Sequence, residues 1–182
     1  MTTTSPRLLT FGHGTADQTQ IVELPRGAGA GLVVDVRRFP GSRRYPHVAR
    51  DALSRWLPDA GIEYRWEPRL GGRREMADRP GPDTWWQVEA FRAYAAHTRT
   101  PEFRAAITDL LADVAATERG TPVMMCSETL WWRCHRRLVS DVVVLLHGTP
   151  VEHLGHDGRC MVHLPSPGAR VTPDGLVYDL PR

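Results

Sequence analysis

The sequence contains no lysine, since all 23 of its basic residues are arginine. No side-chain amine is therefore available for Schiff-base chemistry, which excludes covalent mechanisms that depend on lysine. Cysteine is also scarce: Cys126, Cys134 and Cys160 are an odd number and cannot all pair within the chain. This usage is typical of a reducing compartment and not of a disulfide-stabilised scaffold.

Long hydrophobic runs are missing as well. No segment approaches the run of about 20 apolar residues that spans a bilayer, and the opening residues, MTTTSPRLLTFGHG, lack the apolar core of a secretory signal. We therefore expect a cytoplasmic protein with no membrane partner. The formal net charge of +2 is close to neutral, which argues against strong non-specific affinity for DNA, because that affinity normally requires a marked positive surface.

Apolar and helical periodicities predict one domain over residues 1–182. Short apolar runs that end in turn residues predict buried strands at 7–11, 31–36 and 121–125, with further strands at 62–66 and 151–154. Helical spacing fills the intervals at 17–25, 47–57, 85–97, 102–117 and 130–146. Strands that alternate with helices predict an α/β fold, with a mostly parallel sheet flanked by helices in a Rossmann-like, three-layer arrangement. We expect residues 71–84 to form a candidate lid and residues 165–182 a tail that wraps the surface.

Ligands of open α/β sheets bind where strands end, and the first such end carries Gly12-His13-Gly14. Small residues let a backbone approach a ligand, and the helix that follows can offer N–H groups to an anion. We treat Gly12 and Gly14 as candidate ligand-binding residues and His13 as a candidate catalytic residue. A simple tight turn is the alternative interpretation.

The second strand end places Asp35 within a run of valines that should be buried. An ionised carboxylate there is costly unless it is paired. Asp35 therefore forms a structural ion pair with a nearby arginine, or it is a catalytic carboxylate or one that orients a catalytic arginine. Arginines crowd the loop that follows, at Arg37, Arg38, Arg43 and Arg44. Together with Ser42, Arg37 and Arg43 are candidate ligands for a phosphate.

The third strand end, from Cys126 to Arg137, is the richest in chemically capable side chains. Glu128 lies between a strand and a helix, where the helix dipole stabilises a carboxylate, so it is either a helix-start residue or a catalytic acid. The candidate ligand-binding residues here are Cys126, Trp131, His135 and Arg136.

A metal site at this third strand end is not expected from the sequence. Cys126, Cys134 and His135 have suitable ligand atoms, but their spacing matches no zinc pattern and no fourth ligand is evident. We therefore expect neither a metal nor another cofactor.

Taken in order along the chain, these motifs resemble the family called domain of unknown function 488 (DUF488). The matching motifs are Gly12-His13, Val34-Asp35-Val36-Arg37 with Pro40 and Ser42-Arg43, Gly61-Ile62 with Tyr64, Leu70-Gly71-Gly72, Cys126 with Glu128, and Cys134-His135-Arg136. The resemblance covers residues 8–154. The chain has Gly14 where the family usually has serine and Ser127 where it usually has alanine. Because the family has no assigned activity, the resemblance implies a fold and a site more than a reaction.

The leading functional hypothesis is an enzyme that acts on nucleobases or nucleotides in nucleic acid. Most concretely, it is a monofunctional DNA glycosylase that hydrolyses the N-glycosidic bond of a modified or damaged base. Asp35 or Glu128 would stabilise the oxocarbenium-like state, while His13 or His135 would assist the leaving base. Phosphates of the DNA or nucleotide ligand would be held by Arg37, Arg43 and Arg136.

Two alternatives come from other functional classes. A non-catalytic module that binds a phosphate-bearing ligand or nucleic acid would explain the arginines and the Gly12-His13-Gly14 turn equally well. A cysteine-based phosphatase or sulfur-transfer enzyme would use Cys126 or Cys134. This second alternative is weaker, because a compact phosphate-binding loop favours small residues and the loop here holds Trp131 and Trp132.

Overall fold

The strands of the main sheet are formed by apolar, branched segments. The computed structural model describes residues 6–76 and 81–181. The strands are β1 (Leu8–Gly12), β2 (Ala30–Asp35), β3 (Glu63–Trp66), β4 (Thr121–Cys126), β5 (Val151–Leu154) and β6 (Cys160–Val162). Their order in the sheet is β3-β2-β4-β1-β5-β6. All neighbouring strands are parallel except β5 and β6, which are antiparallel, so the predicted mostly parallel sheet is confirmed.

In the part of the chain that the structure describes, five α-helices lie between these strands. They are α1 (Gln18–Gly27), α2 (Arg50–Asp59), α3 (Glu89–His97), α4 (Pro101–Ala115) and α5 (Arg136–His147). Helix α1 begins with a capping box, in which Asp17 and Gln20 satisfy each other's backbone N–H groups. Helix α4 begins with Thr100 as N-cap and Pro101 in its first turn. Among the described helices, none has the length and apolar character that crossing a membrane requires.

Alternate residues of the central strands bury their side chains on opposite faces of the sheet. Val33 packs in a core with Ile21 of α1 and further apolar residues of α2. Its neighbour Val34 packs in a second core with Leu138 of α5 and apolar residues of α3 and α4. Helices therefore cover both faces, and the predicted single α/β domain with three layers is confirmed.

The helix predicted at residues 130–146 begins only at Arg136. Residues Trp131–Arg133 form one 3-10 turn, and Cys134 is extended, with φ −119° and ψ 151°. The Trp131 ring stacks on His153 of β5, with ring centroids 4.1 Å apart. The expectation that Cys134 and His135 lie one to two turns inside the helix was therefore wrong, because both residues precede it.

The chain after β6 forms a hairpin that the sequence did not predict. Its strands are β7 (Ala169–Thr172) and β8 (Gly175–Tyr178). Leu176 and Tyr178 are fully buried, and the Tyr178 hydroxyl donates to Asp141 of α5 at 2.9 Å. The predicted tail at 165–182 is thus anchored to the core through β8. Part of the candidate lid, residues 77–80, lies outside the described residues.

Candidate functional site

A cavity of about 560 Å³ opens beyond the carboxyl ends of β2 and β4. Because parallel strands end at the same edge of a sheet, the loops that follow β2, β3 and β4 meet there. Aromatic side chains that line the cavity are Phe39, Phe91, Tyr94 and Trp132. Its charged and polar lining includes Arg38, Arg73, Arg133, Cys126, Ser127, Glu128, Cys134 and His135. The cavity therefore combines flat apolar rings with cations, one carboxylate and two thiols.

The loop after β4 is held in place by the turn after β1. The backbone N–H of His13 donates to Cys126 O, and that of Gly14 donates to Ser127 O, both at 2.9 Å. A Cβ on Gly12 would lie only 1.8 Å from the carbonyl oxygen of Glu128. In this structure the small residue at Gly12 permits the close approach of another backbone segment.

Arg136 fixes the same loop from within the protein. Its side chain is buried, and one terminal nitrogen donates to the carbonyl oxygens of Glu128 and Thr129. The other terminal nitrogen donates to Thr10 Oγ1 at 3.2 Å. The predicted ligand-binding residue Arg136 thus contacts the protein itself, and those contacts position the loop that carries Glu128.

Glu128 is exposed and lines the cavity. Its Oε1 accepts a hydrogen bond from the backbone N–H of Leu130 at 3.1 Å. This contact uses one lone pair of one oxygen, which leaves the carboxylate able to accept a proton or further hydrogen bonds. Glu128 is therefore a carboxylate available to a ligand in the cavity.

Cys126, Cys134 and His135 converge at the floor of the cavity. His135 Nδ1 lies 3.9 Å from Cys126 Sγ and 3.6 Å from Cys134 Sγ. His135 Nε2 lies 3.2 Å from the carbonyl oxygen of Val36. Because a carbonyl oxygen only accepts hydrogen bonds, Nε2 carries a proton, and Nδ1 is the ring nitrogen that faces the thiols.

The two thiols of this cluster ionise unequally. The hydrogen bond to Cys134, together with burial, raises the pKa of Cys126 well above its usual value. Burial also opposes ionisation of Cys134, but the hydrogen bond from Cys126, followed by the charge of His135 and its hydrogen bond, outweighs burial and lowers the pKa of Cys134. The pair thus favours a Cys134 thiolate that accepts a hydrogen bond from the Cys126 thiol.

Asp35, at the end of β2, is completely buried and fully paired. Its carboxylate accepts from Arg37 Nε at 2.8 Å and from Arg37 Nη2 at 2.6 Å. The Tyr64 hydroxyl donates to the same carboxylate at 2.8 Å. Arg37 Nη2 also donates to Val48 O at 2.8 Å. The ion pair with Arg37 is therefore present, as both the structural interpretation and the arginine-orienting interpretation of Asp35 require, and Arg37 itself lines the cavity.

His13 completes this network beside Arg37. Its Nε2 lies 3.3 Å from Arg37 Nη1, and its Nδ1 lies 3.1 Å from the carbonyl oxygen of Gly14. Burial, followed by the charge of Arg37, lowers the pKa of His13 from 6.5 to about 4. His13 is therefore neutral at pH 7, accepts from Arg37 at Nε2 and donates at Nδ1.

Three other candidate residues lie away from the cavity lining. Ser42 accepts a hydrogen bond from the backbone N–H of Tyr45 at 2.9 Å, which closes a turn. Arg43 is exposed beside it. Trp131 stacks on His153, and its neighbour Trp132, with 44% of its surface exposed, lines the cavity instead.

Sequence reasoning missed the aromatic wall that α3 gives the cavity. Phe91 and Tyr94 line it from this helix, and Phe39 lines it from the loop after β2. The Tyr94 hydroxyl donates to the carbonyl oxygen of Leu70, which ties α3 to the loop after β3. Helical spacing predicted a helix here, but it did not indicate which turn of that helix lies beside the carboxyl ends of the strands.

The open parallel sheet and the polar cavity at its carboxyl edge define an α/β protein with a strand-end site. A family model described as "Domain of unknown function DUF488" matches residues 17–143 of the 182. The chain belongs to this family, and the resemblance seen in its motifs is confirmed. No curated protein and no solved structure matches the chain.

Proposed function

We propose that the protein is a monofunctional hydrolase of N-glycosidic bonds, acting on a modified or damaged base in DNA or in a nucleotide. One observation carries this proposal: Glu128 is an accessible carboxylate within a cavity walled by aromatic rings and arginines. Asp35, the other candidate carboxylate, is buried in an ion pair with Arg37. We therefore assign the catalytic role to Glu128 and a positioning role to Asp35.

The proposed reaction needs one carboxylate near the anomeric carbon. The bond between C1′ and the base nitrogen breaks, and its electron pair leaves with the base. Positive charge then develops on the sugar, where the negative Glu128 stabilises it. Water attacks C1′, Glu128 takes the water proton, and that proton is passed on to the departing base. Glu128 is thereby regenerated, and the products are a free base and an abasic sugar.

The cavity walls supply recognition of a base and its phosphates. Phe39 and Trp132 line the cavity and are 62% and 44% exposed. A base turned out of its stack binds between such rings. Arg38, Arg73 and Arg133 also line the cavity, where guanidinium groups can pair with the flanking phosphates. Because the chain has no lysine, strand cleavage through a lysine Schiff base is not available, and we expect the abasic product to stay intact.

The test is a panel of oligonucleotides, each with one modified base, incubated with the protein and then treated with alkali to cut abasic sites. We expect cleavage of at least one substrate, only after alkali. Glu128→Gln should reduce the rate by at least about 100-fold, the usual contribution of a positioned acid or base. Glu118→Gln is the matched control, because Glu118 is also exposed but follows α4, outside the cavity lining.

Three results would count against the proposal. Full activity in Glu128→Gln would remove the catalytic role of this residue. Strand cleavage without alkali would contradict a monofunctional hydrolase. Absence of abasic sites across the panel, with a folded protein that still binds the oligonucleotides, would favour the non-catalytic binding module.

A further inference from the structure

The fold brings together three side chains of metal-binding type whose spacing in the sequence matches no zinc motif. Cys126 is the last residue of β4, Cys134 is the extended residue before α5, and His135 is the N-cap of that helix. Two sulfur atoms and one ring nitrogen of these residues all lie within 4.8 Å of one another. This convergence depends on the late start of α5, which could not be read from the helical periodicity.

The distances in the cluster match the edges of a metal tetrahedron. Zinc bonds of about 2.3 Å to sulfur and about 2.0 Å to nitrogen place neighbouring ligand atoms about 3.6 Å apart in tetrahedral geometry. His135 Nδ1 lies 3.6 Å from Cys134 Sγ and 3.9 Å from Cys126 Sγ. The two sulfur atoms lie within 4.8 Å of each other, so coordination of one ion by all three atoms would draw the sulfurs together by up to about 1 Å.

The orientation of His135 is fixed as a metal ligand requires. Its Nε2–H donates to the carbonyl oxygen of Val36 at 3.2 Å, so Nδ1, the atom that faces the thiols, is the ring nitrogen available to a metal. Metal-bound histidines commonly make this second contact to a backbone carbonyl.

Space beside His135 Nδ1 is kept open by a glycine. A Cβ on Gly72 would lie 2.8 Å from this nitrogen, which is closer than Cβ atoms approach other heavy atoms in proteins. Arg136 Nε, at 3.5 Å from Cys134 Sγ, adds a positive charge that stabilises a thiolate. Cys126, Cys134 and His135 all line the cavity, so a fourth coordination position is open to it.

We propose that Cys126 Sγ, Cys134 Sγ and His135 Nδ1 bind one thiophilic divalent ion of the Zn²⁺ class, with the fourth position open to the cavity. Sites with three protein ligands and an open position are typical of catalytic zinc, whereas structural sites are closed by four. The ion would hold a water molecule in the cavity that Glu128 also lines, where a metal lowers the pKa of bound water. This last consequence rests on the proposed hydrolysis, while the metal site itself does not.

Metal content tests the site without any substrate. Untagged protein is purified anaerobically and without chelators from cells supplied with zinc, and bound metal is measured by mass spectrometry. We expect about one equivalent of Zn²⁺ per chain. Cys126→Ser and Cys134→Ser should each retain less than about a tenth of that amount, because each removes one of only three protein ligands. Cys160→Ser is the matched control: Cys160 is an exposed free cysteine on β6, and its loss should leave the metal content unchanged.

Cobalt substitution provides a second measurement on the unmodified chain, in case a cysteine variant fails to fold. Co²⁺ added to metal-free protein should give thiolate-to-cobalt charge-transfer absorption that saturates at about one equivalent. Three results would overturn the proposed metal site. The first is that the wild type binds neither Zn²⁺ nor Co²⁺, and the second is equal loss of metal in Cys160→Ser and Cys134→Ser. The third is a disulfide between Cys126 and Cys134 in the freshly purified protein. A metal-loaded protein that releases no base would reject only the proposed hydrolysis.

Discussion

Strands β2 and β4 are neighbours in the sheet. A carboxylate and a histidine lie near the carboxyl end of each strand, but the two pairs differ in what they contact. At the end of β2, Asp35, Arg37 and His13 are buried, and the polar atoms of each bind one another or nearby backbone. At the end of β4, Glu128 lines a cavity with an exposed carboxylate, and His135 lines the same cavity with its Nδ1 facing two thiols. Charges whose partners are all internal stabilise a fold, whereas groups with unused capacity can serve a ligand.

The largest effect is expected from a substitution in the buried network of Asp35, Arg37 and His13 at the end of β2. Asp35→Asn removes the charge that pairs with the buried guanidinium of Arg37. Loss of one partner from a buried ion pair costs about 3–5 kcal/mol, and urea unfolding at pH 7 should show a decrease of this order. Asp51→Asn is the matched control, since Asp51 forms an exposed ion pair with Arg50, and we expect a change of at most about 0.5 kcal/mol. Equal costs for the two variants would contradict a stabilising role for Asp35.

The second prediction concerns acid sensitivity of the same end. Burial and then the charge of Arg37 lower the pKa of His13 from 6.5 to about 4. The unfolded chain therefore binds more protons than the folded chain between these values. The resulting stability is fully present above pH 6.5 and is lost as the pH falls through about 4.

Replacing His13 should flatten this pH dependence. The free energy of unfolding, measured by urea between pH 7 and pH 4, should fall more steeply for the wild type than for His13→Gln. The difference between the two slopes should integrate to about 3 kcal/mol at most. Parallel curves for both proteins would show that His13 is already protonated in the folded state or exposed to solvent.

The smallest effect is expected from Tyr64, which makes a single hydrogen bond to the buried network of Asp35, Arg37 and His13. Tyr64→Phe removes one hydrogen bond to the Asp35 carboxylate and leaves both bonds from Arg37. A hydrogen bond to a charged acceptor contributes about 1.5 kcal/mol or somewhat more, so this variant should lose less stability than Asp35→Asn. Tyr45→Phe is a suitable control, because the half-buried Tyr45 ring packs edge-on against His47. A loss as small as in the control would place Tyr64 outside the network.

The sequence predicted the sheet and its polar edge because both depend on local signals. Branched apolar runs identified β1 to β5, and a carboxylate among valines required a partner, which the structure supplies as Arg37 and Tyr64. Strand β6 and the hairpin of β7 and β8 were missed, since they are short and, outside β8, mostly exposed. Local propensity carries little information on such edge elements.

The composition of the cavity could not be predicted because it depends on tertiary packing. Periodicity extended α5 back over Trp131 and Cys134, whereas the observed helix begins at Arg136 and the Trp131 ring stacks on His153. That change moves Cys134 and His135 next to Cys126 and sends Trp132 to the cavity. A ring contact between residues far apart in sequence is invisible to a spacing argument.

We propose that the end of β4 performs chemistry while the end of β2 supports the fold. The most direct test measures single-turnover base release and the free energy of unfolding on the same preparations of Glu128→Gln and Asp35→Asn. We predict that Glu128→Gln lowers the rate of base release at least about 100-fold and changes the free energy of unfolding by no more than about 0.5 kcal/mol. Asp35→Asn should lower the free energy of unfolding by about 3–5 kcal/mol. The folded fraction of Asp35→Asn should retain more activity than Glu128→Gln. Loss of activity in a stable Asp35→Asn, together with a fully active Glu128→Gln, would contradict the account.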